Sequence, residues 1–229
     1  MATEERKTEI IDGMVYGTGA KPDNKWGGNT ITVCFLTSIP TYYNSNPDQY
    51  DIAKRPFAAL DARAQQAVMA ALKVWENVAN IHFEIVTEPE DANITVGYTS
   101  FEGSDEYKAI SAERGFAFRP PDTAEEEEDQ LESEPINGDF WLNLARISDF
   151  QSAVAGEVVF RTLVHEVGHA LGLDHPHEPS DGGNPIGNNS LYSIMAKGVP
   201  EGIGEDGTGN AARLPNETPM VWDILAIQK

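Results

Sequence analysis

His165, Glu166 and His169 open the run His-Glu-Val-Gly-His-Ala-Leu-Gly-Leu-Asp-His over residues 165–175, a spacing that can hold and use a metal ion. Residues four apart lie one turn above the other on the same face of a helix. Two imidazoles so placed can share one metal, and His-Glu-x-x-His is the spacing used by zinc hydrolases. The Glu166 carboxylate, beside the first ligand, can hold a metal-bound water and take its proton. His175 comes six residues after His169 and could not share that face if the helix ran on. Gly172 removes the difficulty, because without a Cβ it can take the left-handed conformation that ends a helix. The chain can then turn back and bring His175 to the same ion. Three neutral imidazoles plus a water make an open, catalytic site, since a structural zinc fills its fourth position with protein.

Such a site needs elements to position it. Phe160, Leu163, Val164, Val167 and Leu171 line the buried side of the metal-bearing helix. A second long helix follows Asp61, a plausible N-cap, with Val68, Leu72, Trp75 and Ala79 at helical spacing. Alternation predicts five strands: Ile31, Val33 and Phe35; Phe83 and Ile85; Ile94, Val96 and Tyr98; Phe116 and Phe118; Phe140 and Leu142. Residues 1–25 are polar and turn-rich, without a defensible period, and 176–219 are rich in Gly, Asn and Pro. Thr218 as cap and Pro219 as first residue predict a closing helix with Ile224 and Ile227 as core contacts. Strands mixed with helices imply an α/β (α+β) fold, one helix layer against a twisted sheet.

The extended histidine motif resembles that of the metzincin metalloproteases, and Ser193-Ile194-Met195 resembles the Met-turn beneath the metal in that clan. Trp26-Gly27-Gly28, Thr30 to Ser38 and Tyr42-Tyr43 are similar to the start of serralysin-type proteases. So are Trp75 to Ile81, Gly138-Asp139-Phe140-Trp141-Leu142-Asn143 and the closing Asp223-Ile224-Leu225-Ala226-Ile227-Gln228. The resemblance implies a metzincin-like fold with a mostly parallel five-stranded sheet, two long helices and a small loop-rich lower lobe ending in a helix. It places a polar N-terminal segment at 1–25, holding a short pro-segment, before a catalytic domain at 26–229, with the upper lobe over about 26–175 and the lower over about 176–229. It implies a zinc endopeptidase acting on extended polypeptides, with His165, His169 and His175 as ligands, Glu166 as general base and Met195 as a structural floor. The strand near Arg114–Arg119 resembles the edge strand that pairs with substrate backbone in the family. The alternative is a metzincin-fold module that captures a peptide or inhibitor without cutting it; retention of Glu166 argues against this.

One position departs from the pattern. Serralysins carry Tyr two residues after the Met-turn methionine, where this chain has Lys197. Lys197 could donate to the oxyanion of the reaction, but an ammonium near a dicationic metal is disfavoured, so a solvated side chain is the preferred reading. Asp181-Gly182-Gly183-Asn184 could offer oxygen ligands to calcium, yet lacks the ordered spacing of a calcium loop, and a plain turn is preferred. The run Glu125-Glu126-Glu127-Glu128-Asp129 reads as a solvated loop, and His82 and His177 as structural and solvated histidines.

With 16 Lys and Arg against 37 Asp and Glu, the net charge of −21 should repel nucleic acid and anionic membranes. The resemblance implies protein or peptide substrates and a proteinaceous inhibitor as partners, with the chain a monomer. Cys34 is the single cysteine and falls in an alternating strand, where a buried inert thiol is expected. The N-terminus lacks the apolar core of a secretory signal. By resemblance the protein is expected outside the cell, since serralysins use a C-terminal export signal after a calcium-binding β-roll. No nonapeptide repeat of that roll occurs in these 229 residues, as in an isolated catalytic domain or a short relative.

Overall fold

β-Branched and aromatic side chains alternating along short segments build the sheet on which the histidine-bearing helix rests. The computed structural model describes residues 4–16, 25–44, 51–102, 114–121, 136–176, 189–196 and 217–229. Within them β1 (Thr30–Phe35), β3 (His82–Val86), β4 (Ile94–Thr99) and β6 (Phe140–Asn143) run parallel, and β5 (Gly115–Ala117) pairs antiparallel with β6. The order is β3-β1-β4-β6-β5, which holds the five expected strands. A sixth, β2 (Phe57–Ala58), pairs antiparallel with the end of β4 and is too short for alternation to reveal. Ile31, Val33, Ile94, Val96, Phe140 and Leu142 are buried. Cys34 is buried as expected, and burial, with Glu88 and Glu90 nearby, pushes its thiol up.

One face of the sheet is covered by two helices. The Asp61 carboxylate accepts the N–H groups of Arg63 and Ala64 at 3.1 and 2.9 Å and so starts α2 (Ala62–Glu76) where the sequence predicts. The helix stops at Glu76, which leaves Ala79 in the following turn. Short α3 (Ile147–Gln151) precedes α4 (Val158–Ala170), the helix that carries His165, Glu166 and His169. The indole N–H of Trp75 donates to the Val164 carbonyl at 2.9 Å, tying α2 to α4 in a core that also takes Val68, Leu72, Leu163 and Val167.

Two expectations need correction. Residues 4–16, read as aperiodic, form helix α1 (Glu4–Tyr16), with Ile10 and Met14 buried in the same core and Ile11 and Val15 packed against it. The stripe is only two i, i+4 pairs long in an otherwise polar segment, so its period is hard to see. The closing helix α5 (Val221–Ile227) starts after Met220 rather than Thr218, because the Asp223 carboxylate accepts the Met220 N–H at 2.7 Å and fixes the first turn there. Its buried face carries Trp222, Asp223 and Ala226; Ile227 packs at the margin and Ile224 is half-buried.

On the opposite face of the sheet Leu36, Tyr43, Ile52, Phe101, Ile136 and Trp141 cluster. Asp139 lies beside them, 1% exposed, and accepts hydroxyls from Tyr42 at 3.0 Å, Tyr43 at 2.6 Å and Thr95 at 2.7 Å. Burial raises its carboxyl from 3.8 to about 7, against the hydrogen bonds from Tyr43, Thr95 and Tyr42 that lower it. The folded state therefore holds the proton more tightly than the unfolded state. The resulting stabilisation is fully present below the unfolded value and lost as pH rises through about 7. Asp139→Asn keeps the shape but cannot ionise. The stability difference between wild type and this variant, from urea unfolding at pH 5 and pH 8, is expected to shift against wild type at pH 8 by a few kcal/mol. A pH-independent difference would contradict this.

Candidate metal centre

Helix α4 sets His165 and His169 on one face, and its end is built as the sequence implies. Gly172 has φ 101, and the N–H groups of Gly172 and Leu173 donate to the carbonyls of His169 and Gly168, both at 2.9 Å. This pair of bonds is the Schellman termination, in which a left-handed residue reverses the chain and satisfies the last carbonyls. The Trp26 indole donates to the Ala170 carbonyl at 2.9 Å and closes the same helix end. Two residues later His175 returns to the face it would otherwise have missed.

The three rings converge. One ligand atom from each lies within 4.8 Å of the others, and Nε2 of His175 is 3.1 Å from that of His169 and 3.2 Å from that of His165. The Nδ1 atoms of two rings face main-chain oxygens: His165 toward Ile194 at 2.9 Å and His169 toward Leu173 at 2.8 Å. A carbonyl can only accept, so these Nδ1 atoms carry the proton and each Nε2 presents a lone pair. Burial, then the neighbouring His169 ring, holds His165 well below the ordinary imidazole value, which keeps it neutral. Tetrahedral zinc with bonds of about 2.0–2.1 Å would set ligand nitrogens about 3.3 Å apart. The donor set fits zinc in identity, in the protonation of His165 and His169, and in the two separations from His175.

Glu166 is 7% exposed and sits where β5 passes α4; a Cβ at Gly115 would lie 3.3 Å from its Cγ. Met195 is fully buried under the helix, and a Cβ at Gly168 would stand 2.5 Å from its sulfur. Glycine between the two helical histidines is therefore what lets the methionine approach the backbone so closely.

Two residues of this network escape sequence reasoning. Asp223, 0% exposed, accepts the Ser193 hydroxyl at 2.6 Å and the Ile194 N–H at 2.7 Å, while the Met195 N–H donates to Ser193 Oγ at 2.9 Å. Burial raises this carboxyl, opposed by those hydrogen bonds and by the Met220 N–H. Arg161, one turn before His165, donates to the carbonyls of Ile194 and Ala196 at 3.0 and 2.8 Å. Ile194, whose carbonyl orients His165, is thus held through both its N–H and its C=O. The one available signal was an aspartate on the otherwise apolar face of a short helix. Lys197, His177, the acidic run 125–129 and Asp181–Asn184 lie outside the described residues. His82 is a strand residue whose Nδ1 is 3.0 Å from Glu76 Oε1.

Gly168→Ala forces the Met195 side chain to move, although its thioether is flexible. We expect a loss of about 1–3 kcal/mol in stability, read by urea unfolding of the metal-free protein. A neutral or stabilising effect, as an Ala would have in an unobstructed helix, would contradict the packing described.

A model of the matrixin peptidase family matches residues 42–182. Serralysin of Photorhabdus luminescens is 28% identical over 237 aligned residues, covering 99% of this chain and 43% of its own length. Serralysin A of Dickeya chrysanthemi is 31% identical over 214, covering 89% and 40%, and metalloprotease AprA of Pseudomonas entomophila is 25% identical over 224, covering 93% and 41%. The chain spans about two fifths of the length of these curated relatives. The matched span holds the three converging imidazoles, Glu166 and the glycine turn, and the chain belongs to the matrixin family of metallopeptidases as a serralysin-type member.

Proposed function

We propose that this chain is a zinc-dependent endopeptidase domain that hydrolyses extended polypeptides outside the cell. The observation that carries the reading is the convergence of three imidazoles, with Nε2 of His175 at 3.1 and 3.2 Å from those of His169 and His165, and Glu166 following His165 on the same helix. His165, His169 and His175 would hold the metal. Zinc held by neutral ligands supplies a water acidic near neutral pH and a Lewis acid for the substrate carbonyl.

The chain's own groups do the rest. Glu166 accepts the proton of the attacking water at its carboxylate and returns it to the amide nitrogen as the peptide bond breaks. Gly115 beside it leaves room for Glu166 itself, since any side chain there would press on the Glu166 stem. Asn143 N–H donates to Arg114 and Phe118 N–H donates to Asp139, so the main-chain groups of Gly115 and Ala117 point away from β6. An extended peptide can add to that edge, and main-chain pairing selects little among side chains, which favours broad specificity. Met195 serves as packing under the helix.

Two measurements test the reading. Glu166→Gln should keep its zinc and fold yet lose about 10²–10⁴ in casein or peptide hydrolysis. An unchanged rate would move the base elsewhere. Met195→Leu, of similar volume, should retain metal and much of the activity. Loss of zinc from that variant while it stays folded would contradict a packing role.

A further inference from the structure

His175 is the one ligand the helix does not carry, so something else must fix it. Asp174, 5% exposed, stands in the adjacent position. Its Oδ1 accepts the His175 backbone N–H at 2.7 Å and lies 3.9 Å from that ring's Nδ1. Its Oδ2 is 2.6 Å from Nη2 of Arg119, and its own N–H donates to the Met14 carbonyl of α1 at 2.7 Å. The edge strand, the N-terminal helix and the turn after α4 meet at this residue.

Strand alternation explains why Arg119 reaches it. Phe116 and Phe118 lie on one face of the edge strand, with ring centres 5.5 Å apart and Phe116 5.2 Å from Phe101. Gly115 and Ala117 face α4, and Arg119, two residues on, continues that face past two small residues. A carboxylate buried beside a metal site is costly unless its charge is matched, and a charge-assisted bond to guanidinium matches it. Each oxygen of Asp174 then has a distinct task, one toward the ligand and one toward Arg119.

Resting on the zinc site proposed above, we infer that Arg119 and Asp174 are a coupled positioning pair for His175. The pair ties the strand that receives substrate to the third metal ligand, so the two are seated together. Neither residue touches the reacting atoms; they act through His175, as the outer partners of metal ligands do.

The test is the zinc dissociation constant, measured by competition with a chromophoric chelator, alongside the thermal midpoint of the metal-free protein. Arg119→Ala, which truncates a partly exposed side chain and should fold, and the isosteric Asp174→Asn are each expected to weaken zinc binding about tenfold or more. The double variant should be no weaker than the worse single, as coupling requires, and Arg119→Lys should recover part of the loss. The metal-free midpoint of Arg119→Ala should fall by less than about 4 °C, which separates positioning from general destabilisation. Wild-type zinc affinity in Arg119→Ala, beside a His175→Ala variant that has lost zinc, would overturn the pair alone. So would losses in the double variant equal to the product of the singles. Undiminished zinc in His175→Ala would instead remove the zinc reading and the pair with it.

Discussion

Three imidazole nitrogens crowd one point, two of them on rings held in the tautomer that leaves Nε2 a lone pair, and a cation there would turn crowding into binding. In this protein the arrangement is enforced from behind. The carbonyls of Ile194 and Leu173 take the Nδ1 protons of His165 and His169, so neither ring can rotate without losing a hydrogen bond. Those carbonyls belong to segments remote from the ligands or to the turn after them. The candidate metal centre is thus only as well ordered as the backbone at residues 173 and 194, and much of the surrounding structure serves to hold these two places.

At Leu173 the holding is local: a left-handed glycine and two main-chain bonds. At Ile194 it is long-range and polar. Asp223 binds the N–H of Ile194 and the Ser193 hydroxyl, while Arg161 binds the Ile194 carbonyl. A buried carboxylate is tolerated when its oxygens are satisfied, and removing it would leave several donors stranded at a cost of about 1–3 kcal/mol each. The same aspartate starts α5, so the last helix and the methionine turn are fixed by one side chain. Glycines complete the site by absence: Gly168 admits Met195 against the helix, and Gly115 gives Glu166 room beside the edge strand.

The parts legible in the sequence are those encoded by local period or by a fixed spacing. The two helical histidines, the helix stop and the third histidine lie within eleven consecutive residues, and Asp61 announces α2 by its position before an apolar stripe. The five longer strands show through alternation. What could not be read depends on partners far along the chain. Nothing near Asp223 says that its carboxylate bonds a turn 29 residues earlier, and nothing in α4 says that Arg161 braces Ile194. Helix α1 escaped because Ile10 and Met14 form a stripe too short to stand out from polar neighbours, although the core buries both. The sequence signal for the start of α5 lies at Thr218-Pro219, whereas the Asp223 carboxylate, bonded to the Met220 N–H, fixes the first turn two residues later.

If one zinc at the three imidazoles makes this chain a peptidase, as proposed, metal and activity leave and return together. Metal content and casein hydrolysis can be followed on a single purified sample, before chelation, after it, and after zinc is returned. The expected result is close to one zinc per chain, activity that disappears with the metal and activity that returns with it. Hydrolysis that persists undiminished after complete removal of zinc would contradict it.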